Sequence, residues 1–230
     1  KDIVKVLQIN LKNLNFFQNK KCLITAGPTI EMIDPIRYIS NHSSGKQGYE
    51  IASQLSIIGA NVILISGPTN LDPPPGVKYK KIKTAKEMYD EIKKISKVDF
   101  GFFAAAVSDF RNKGTRNTKL KKKNALKLDL IENIDILKKI GTDRKLRPKF
   151  LVGFAAETGG KSSARNKLND KNCDMIIYNK IEEANKVFGS DYNKISIITK
   201  KEVINFKKMT KTNCAKKIIN QIYLKAKQHE

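Results

Sequence analysis

Residues 21–66, KCLITAGPTIEMIDPIRYISNHSSGKQGYEIASQLSIIGANVILIS, read as one strand–loop–helix–strand unit. Lys21–Thr25 is a short apolar strand. Ile51, Ala52, Leu55 and Ile58 recur at helical spacing, which predicts a helix over Ser44–Ile58. Asn61–Ser66, NVILIS, is the second strand. A strand, a crossover helix of this length and another strand imply parallel pairing.

The alternation continues outward. Val77–Ile82 is a weaker strand, 85–96 a charged amphipathic helix, and Asp99–Val107 (DFGFFAAAV) a buried strand. Asp135–Ile140 reads as a short helix, Lys149–Phe154 (KFLVGF) as a strand, Ser162–Asn172 as a helix and Asp174–Tyr178 (DMIIY) as a strand. Lys194–Thr199 and Val203–Phe206 form a hairpin, and Thr212–Lys227 a closing helix. The expected fold is α/β: a Rossmann-like, mostly parallel sheet with helices on both faces and a C-terminal hairpin. Upstream, Ile3, Val4, Leu7, Ile9 and Leu11 fall near one side of an amphipathic helix over 3–15. We therefore divide the chain into a leading helix or linker, 1–20, and one domain, 21–230. The sequence opens on Lys1 rather than Met, so we expect a trimmed end or a further domain upstream.

Of 230 residues, 40% are apolar and 29% charged, an ordinary globular balance. No apolar run approaches the roughly 18 residues of a membrane-spanning helix. The net charge of +23 first suggests a nucleic-acid partner. Yet the basic residues are nearly all Lys, spread along a chain also rich in Asn and Ile, as AT-rich codons would give. Arg, the residue for bidentate phosphate and base contacts, stands only at 37, 111, 116, 144, 147 and 165. We read the charge as bias, with the cationic field helping to attract small anionic substrates. Cys22, Cys173 and Cys214 are odd in number and far apart, which excludes a disulfide scaffold and disfavours a zinc site. They are expected to be buried free thiols in a reducing cytoplasm.

In such sheets, ligands bind beyond the carboxyl ends of the strands, and there the informative residues lie. Gly27 permits a tight turn after the first strand. The loop that follows holds Glu31, Asp34, Arg37 and Asn41, and leads through Ser43, Ser44 and Gly45 into the helix. Ser44 with Gln47 is a candidate capping box, and the N–H groups of the helix start make an anion site. The residues alone leave open a phosphate-binding loop or a merely capped helix. The spacing is neither G-x-G-x-x-G nor a Walker loop, and Ser66-Gly67-Pro68 stands where a ribose-binding acid would follow the second strand, which argues against a nicotinamide-dependent oxidoreductase. Ala104–Ala106 would let a flat ring lie against the backbone, with Asp109 beyond to accept hydrogen bonds. GFAAET, 153–158, repeats that logic. Lys167 and Lys171 fall one helical turn apart. The polar, basic stretch Arg111–Lys127 breaks the rhythm, and is either a binding lid or a solvated excursion.

ITAGPT-x-E-x-IDPIR-x-ISNHSSGKQG, AAAVSDF, a basic loop, N-x-DIL, VGFAAET and KL-x-x-K-x-x-D, in this order over roughly 21–200, resemble the bacterial-type phosphopantothenate–cysteine ligases of coenzyme A biosynthesis. The family is often fused behind a flavin-dependent decarboxylase. Ile134 replaces the family's usual proline, Gln47 stands where Met is common, and Tyr178 where a small residue is common. The resemblance implies that 4′-phosphopantothenate is joined to cysteine: CTP, with Mg²⁺, activates the carboxylate as an acyl-cytidylate, and the cysteine amine then attacks. It implies catalytic roles for Asn41, at the acyl group, and Lys119, on a mobile flap. Arg37, Ser43, Ser44 and Gly45 would hold anionic substrate groups. Gly27, Ala105, Asp109, Lys119, Asn133, Ile134, Asp135, Ile136, Phe154, Lys167 and Lys171 would form the nucleotide site. It assigns no metal ligand, and implies a homodimer with a shared substrate site and no nucleic-acid or membrane partner.

Overall fold

The computed structural model describes residues 15–121, 127–181 and 189–227. In chain order the elements are β1 (Lys21–Ala26), β2 (Ile30–Met32), β3 (Tyr38–Ser40), α1 (Lys46–Ile57), β4 (Asn61–Ser66), β5 (Lys78–Lys81), α2 (Ala85–Lys93), β6 (Phe100–Phe103), β7 (Phe110–Asn112) and β8 (Leu130–Glu132). There follow α3 (Ile136–Thr142), β9 (Phe150–Glu157), α4 (Lys161–Asp170), β10 (Met175–Lys180), β11 (Tyr192–Asn193), β12 (Ile195–Ile198), β13 (Val203–Asn205), β14 (Met209–Thr210) and α5 (Lys211–Ala226).

The main sheet runs β13-β12-β10-β9-β6-β1-β4-β5. Its strands pair in parallel from β10 to β5, and the β12–β13 hairpin adds the antiparallel edge. From β1 the chain first builds toward β5, then crosses back to β6 and builds toward β10. The order therefore reverses between β1 and β6, where such sheets open a ligand crevice.

The β1 sequence shows why both sheet faces are covered. Cys22, Ile24 and Ala26 point into one core with α1 and α5, whereas Leu23 points into a second core with α2, α3 and α4. Helix α1 buries Ile51, Ala52 and Leu55, the apolar positions of its period. Its first turn lies so close to the sheet that a Cβ on Gly48 would stand 2.6 Å from the Ala26 Cβ. Phe16 and Phe17, within the expected leading segment, instead join the first core: Phe17 is fully buried, its ring 5.0 Å from Phe100, and Phe16 lies 5.2 Å from Tyr223. The rest of the helix expected over 3–15 lies outside the described residues. The three cysteines are buried and free, and burial pushes the Cys173 and Cys214 thiols up to about 12.

Several local expectations change. The strand expected through Val107 ends at Phe103, because β1 turns away at Gly27 and leaves only scattered pairing, such as the Ala106 N–H to the Gly27 carbonyl at 2.9 Å. Strand β9 runs on to Glu157, since β10 pairs with it as far as Lys180. The long loop before α1 contains the antiparallel ribbon β2–β3, and the basic stretch begins in β7 and is followed by β8, which pairs with it. Residues 122–126 of that stretch lie outside the described residues.

Candidate active site

A cleft of about 550 Å³ opens at the β1–β6 reversal. One wall is the entry to α1. Gly45 precedes the helix with φ +75°, a left-handed conformation, and no side chain caps the first turn. The expected Ser44–Gln47 capping box does not form. Because Gly45 turns the chain, the Ser43 hydroxyl accepts the Gly45 N–H at 3.3 Å, while Gln47 Nε2 donates to the Lys211 carbonyl at 3.2 Å. Ser43, Ser44, Gly45, Lys46, Gln47 and Gly48 all line the cleft, so the N–H groups of the first turn sit at its edge. Gln47 Oε1 is buried there without a hydrogen-bond partner.

The floor is Ala104–Val107, small residues just past β6. Asn41 Nδ2 donates to the carbonyls of Ala106 at 3.2 Å and Val107 at 3.0 Å, tying the loop before α1 to this floor. The opposite wall comes from Ile134–Leu137, Phe154–Ala156, Lys167 and Lys171. Lys167 is ion-paired with Glu157, and Lys171 lies 3.1 Å from Asp135, whose other oxygen caps α3 by accepting the Lys138 N–H at 3.0 Å.

The cleft thus brings together Asn41, Ser43, Ser44, Gly45, Ala105, Asp109, Ile134, Asp135, Ile136, Phe154, Lys167 and Lys171. Gly27, Arg37, Lys119 and Asn133 are not among its lining residues. Gly27 makes the turn behind it, with φ +70°. Asn133 stands just behind the wall: its N–H donates to the Asp109 carbonyl at 2.8 Å, and its Oδ1 accepts from Ile134 at 2.9 Å. Arg37 sits on the β2–β3 ribbon against Asp34 at 2.8 Å, and Lys119 is exposed on the basic stretch.

Among the cleft residues that sequence reasoning missed, three are polar groups brought in by long-range contacts or an ion pair. Lys46 donates to Asp191 at 2.6 Å, and Lys211 and Asn193 arrive from the far end of the chain. Lys211 is 6% exposed, and burial, then Lys46, lowers its pKa against the opposing pull of Asp191. No local pattern marks Lys211; only the docking of α5 beside α1 brings it here. Among the described residues no three His, Cys, Asp or Glu side chains cluster to hold a metal, and no helix is long and apolar enough to cross a membrane.

The DNA/pantothenate metabolism flavoprotein C-terminal domain matches residues 17–225. The chain is 42% identical over 226 residues to the coenzyme A biosynthesis bifunctional protein CoaBC of Borreliella burgdorferi, covering 96% of this chain and 57% of that protein. It is 40% identical to the Bacillus subtilis protein of the same name, over 80% of this chain and 46% of that one. The chain therefore spans about half the length of these relatives. The crystal structure of the C-terminal domain of a CoaBC protein superposes with a TM-score of 0.78 at 36% identity, covering 93% of this chain and 99% of that one.

Proposed function

The chain belongs to the DNA/pantothenate metabolism flavoprotein C-terminal domain family, and from that premise we propose that it ligates 4′-phosphopantothenate to L-cysteine, using CTP. The observation that carries the reading is the cleft: uncapped helix amides face a wall of paired lysines across a small-residue floor. Two anionic substrates must meet in one dry place, and each finds its own cationic or donor surface there.

In this reading the nucleotide lies on the Ala105, Asp109, Ile134–Ile136 and Phe154 side. Its phosphates meet Lys167 and Lys171, which exchange or share Glu157 and Asp135. The carboxylate of phosphopantothenate attacks the α-phosphorus of CTP, pyrophosphate leaves, and an acyl-cytidylate remains. The cysteine amine then attacks the acyl carbon and CMP departs. Asn41 holds the acyl oxygen, exchanging a backbone carbonyl for it. The amides of Ser44–Gly48 hold the anionic group of phosphopantothenate without titrating.

Mg²⁺ would enter with the triphosphate. It needs only one or two carboxylates besides phosphate oxygens and water. Asp109, a carboxylate in the cleft lining, would hold it. The ion would neutralise charge on the leaving pyrophosphate.

Arg37 falls outside the cleft of its own chain, beside exposed Ile36 and Tyr38 on ribbon β2–β3, with exposed Phe110 and Leu130 on the neighbouring β7–β8 ribbon. An apolar rim of this kind supports the homodimer, with Arg37 contributing to a substrate site shared between two chains. We further read the chain as the ligase half of a bifunctional cytoplasmic enzyme, with a flavin-dependent decarboxylase fused or associated.

The test combines the chain with phosphopantothenate, cysteine, Mg²⁺ and each nucleotide, and follows pyrophosphate and thiol adduct. CTP should exceed ATP by at least about tenfold in kcat/KM, roughly 1.4 kcal/mol. Thermal shift with CTP, ATP, NADH and a DNA oligomer gives an independent readout, in which CTP with Mg²⁺ stabilises most. Pyrophosphate release without adduct, or stabilisation by NADH or DNA alone, would refute the ligase.

A further inference from the structure

Asp34 is an acid with no place in the cleft. It is fully buried although it turns the half-exposed ribbon β2–β3. Its Oδ1 accepts the N–H groups of Ile36 and Arg37, both at 2.8 Å, and these shape the turn. Its Oδ2 does something the turn does not require: it accepts Arg37 Nη1 at 2.8 Å and the N–H of Leu120 at 3.1 Å. The same Arg37 nitrogen donates to the Leu120 carbonyl at 3.3 Å. Both backbone polar groups of Leu120 are thus gripped by one ion pair. Two further bonds extend the seam, from the Arg116 N–H to the Ile33 carbonyl at 3.1 Å and from the Thr115 hydroxyl to the Met32 carbonyl at 3.2 Å.

We infer that Asp34 is a positioning residue: with Arg37 it fixes the backbone at Leu120 and so sets where Lys119 is presented. An ionised acceptor makes this a stronger anchor than a neutral one. Burial alone would push the Asp34 carboxyl up. The three N–H donors and the guanidinium outweigh it and hold the group at about 2. The anchor also reaches the site, because the ribbon that carries it continues through Ser40 into Asn41. The significance of Lys119 rests on the ligase reading; the seam does not.

Asp34→Asn tests the anchor. It keeps one oxygen for the turn but replaces the other acceptor by an N–H donor. Amides at Arg116 and Leu120 should exchange at least about tenfold faster, while those of β1 and β6 are unchanged. Turnover should fall about tenfold in kcat, yet by less than about twofold when Lys119 is already Ala, because both substitutions act through one group. Equal losses in the two backgrounds, or unchanged exchange at Arg116 and Leu120, overturn the inference. Should Asp34→Asn not fold, Arg37→Ala removes the other half of the pair from a side chain 40% exposed, and exchange at Leu120 should quicken likewise. An unchanged rate there again overturns the anchor. If the unaltered chain releases no pyrophosphate from CTP and phosphopantothenate, the ligase reading falls, and exchange alone decides the seam.

Discussion

Along the α1 wall of the cleft, Lys46, Gln47 and Gly48 begin a helix with no side-chain cap, whereas along the α4 wall Lys167 and Lys171 each already face a carboxylate. Beside the Lys46–Asp191 pair and Lys211, the first wall offers neutral, fixed donors in the amides of the helix start. They cost no rearrangement when an anion arrives, and their strength does not depend on pH. The second wall offers full charges that must first be shared. Its affinity for phosphate is therefore discounted by the pairs it loosens, and it is the more sensitive to salt. The difference suggests a division of labour, with orientation of the reacting acyl group on the α1 side and neutralisation of the nucleotide on the α4 side.

The sharpest way to break this comparison is at Asn41. Asn41→Asp replaces a donor with a negative acceptor next to the carbonyls of Ala106 and Val107. It should cost the acyl-transfer steps roughly 2.7–4 kcal/mol, or about a hundred- to a thousandfold, while CTP affinity stays within about fivefold if the nucleotide rests on the other wall as proposed. A quenched time course separating pyrophosphate from adduct reads both. Parallel loss of CTP affinity would show that the walls do not work separately.

Lys119→Ala is expected to cut turnover by about a hundredfold with the melting temperature unchanged. On this stretch the N–H groups of Lys113 and Arg116 donate to the carbonyls of Asp129 and Ile33, and that of Leu120 to the Asp34 carboxylate. Near-normal turnover of the variant would remove the stretch from the reaction and leave the two walls as the whole site.

A smaller effect separates the paired lysines. Lys167→Ala should raise the KM for CTP by about tenfold at low salt, with the gap to the unaltered chain narrowing as salt increases, and kcat changing little. Loss of kcat at constant KM would place Lys167 on the transition state rather than on the bound nucleotide.

How far all this was legible depends on the range of the interactions. Ile51, Ala52 and Leu55 announce α1 because a helix's buried face repeats within a few residues, and NVILIS and KFLVGF announce β4 and β9 because strands buried on both faces are continuously apolar. The ribbons β2–β3 and β7–β8 are three residues a side, too short for alternation to register, and they exist because Asp34 and long-range bonds hold them. The cleft was legible wherever a strand end or helix start carries it. Arg37 lies in a quoted motif but not in the cleft, since motif order says nothing about which side of a ribbon a residue takes, and Lys119, on the basic stretch, is not in the cleft lining either. Lys211 was invisible because its neighbour Lys46 lies 165 positions earlier in the chain.

Lys211 also supplies the finest test of the comparison, since it is the one α1-side cation whose pKa is clearly lowered, by burial and then by Lys46. A lowered pKa means that the folded chain releases this proton below the ordinary 10.5, while the unfolded chain still holds it. The unfolded state then binds more protons, so stability rises with pH through that interval. Lys211→Met should lack this rise, and the stability difference between variant and unaltered chain should drift in the unaltered chain's favour as pH increases. Phosphopantothenate affinity should move the other way: it should weaken gently toward alkaline pH in the unaltered chain, by about threefold, and lose that dependence in Lys211→Met. Most of the affinity should survive in the variant, because the helix amides do not titrate. If calorimetry instead shows phosphopantothenate binding collapsing in Lys211→Met at neutral pH, the charge and not the uncapped helix start is what holds the anion.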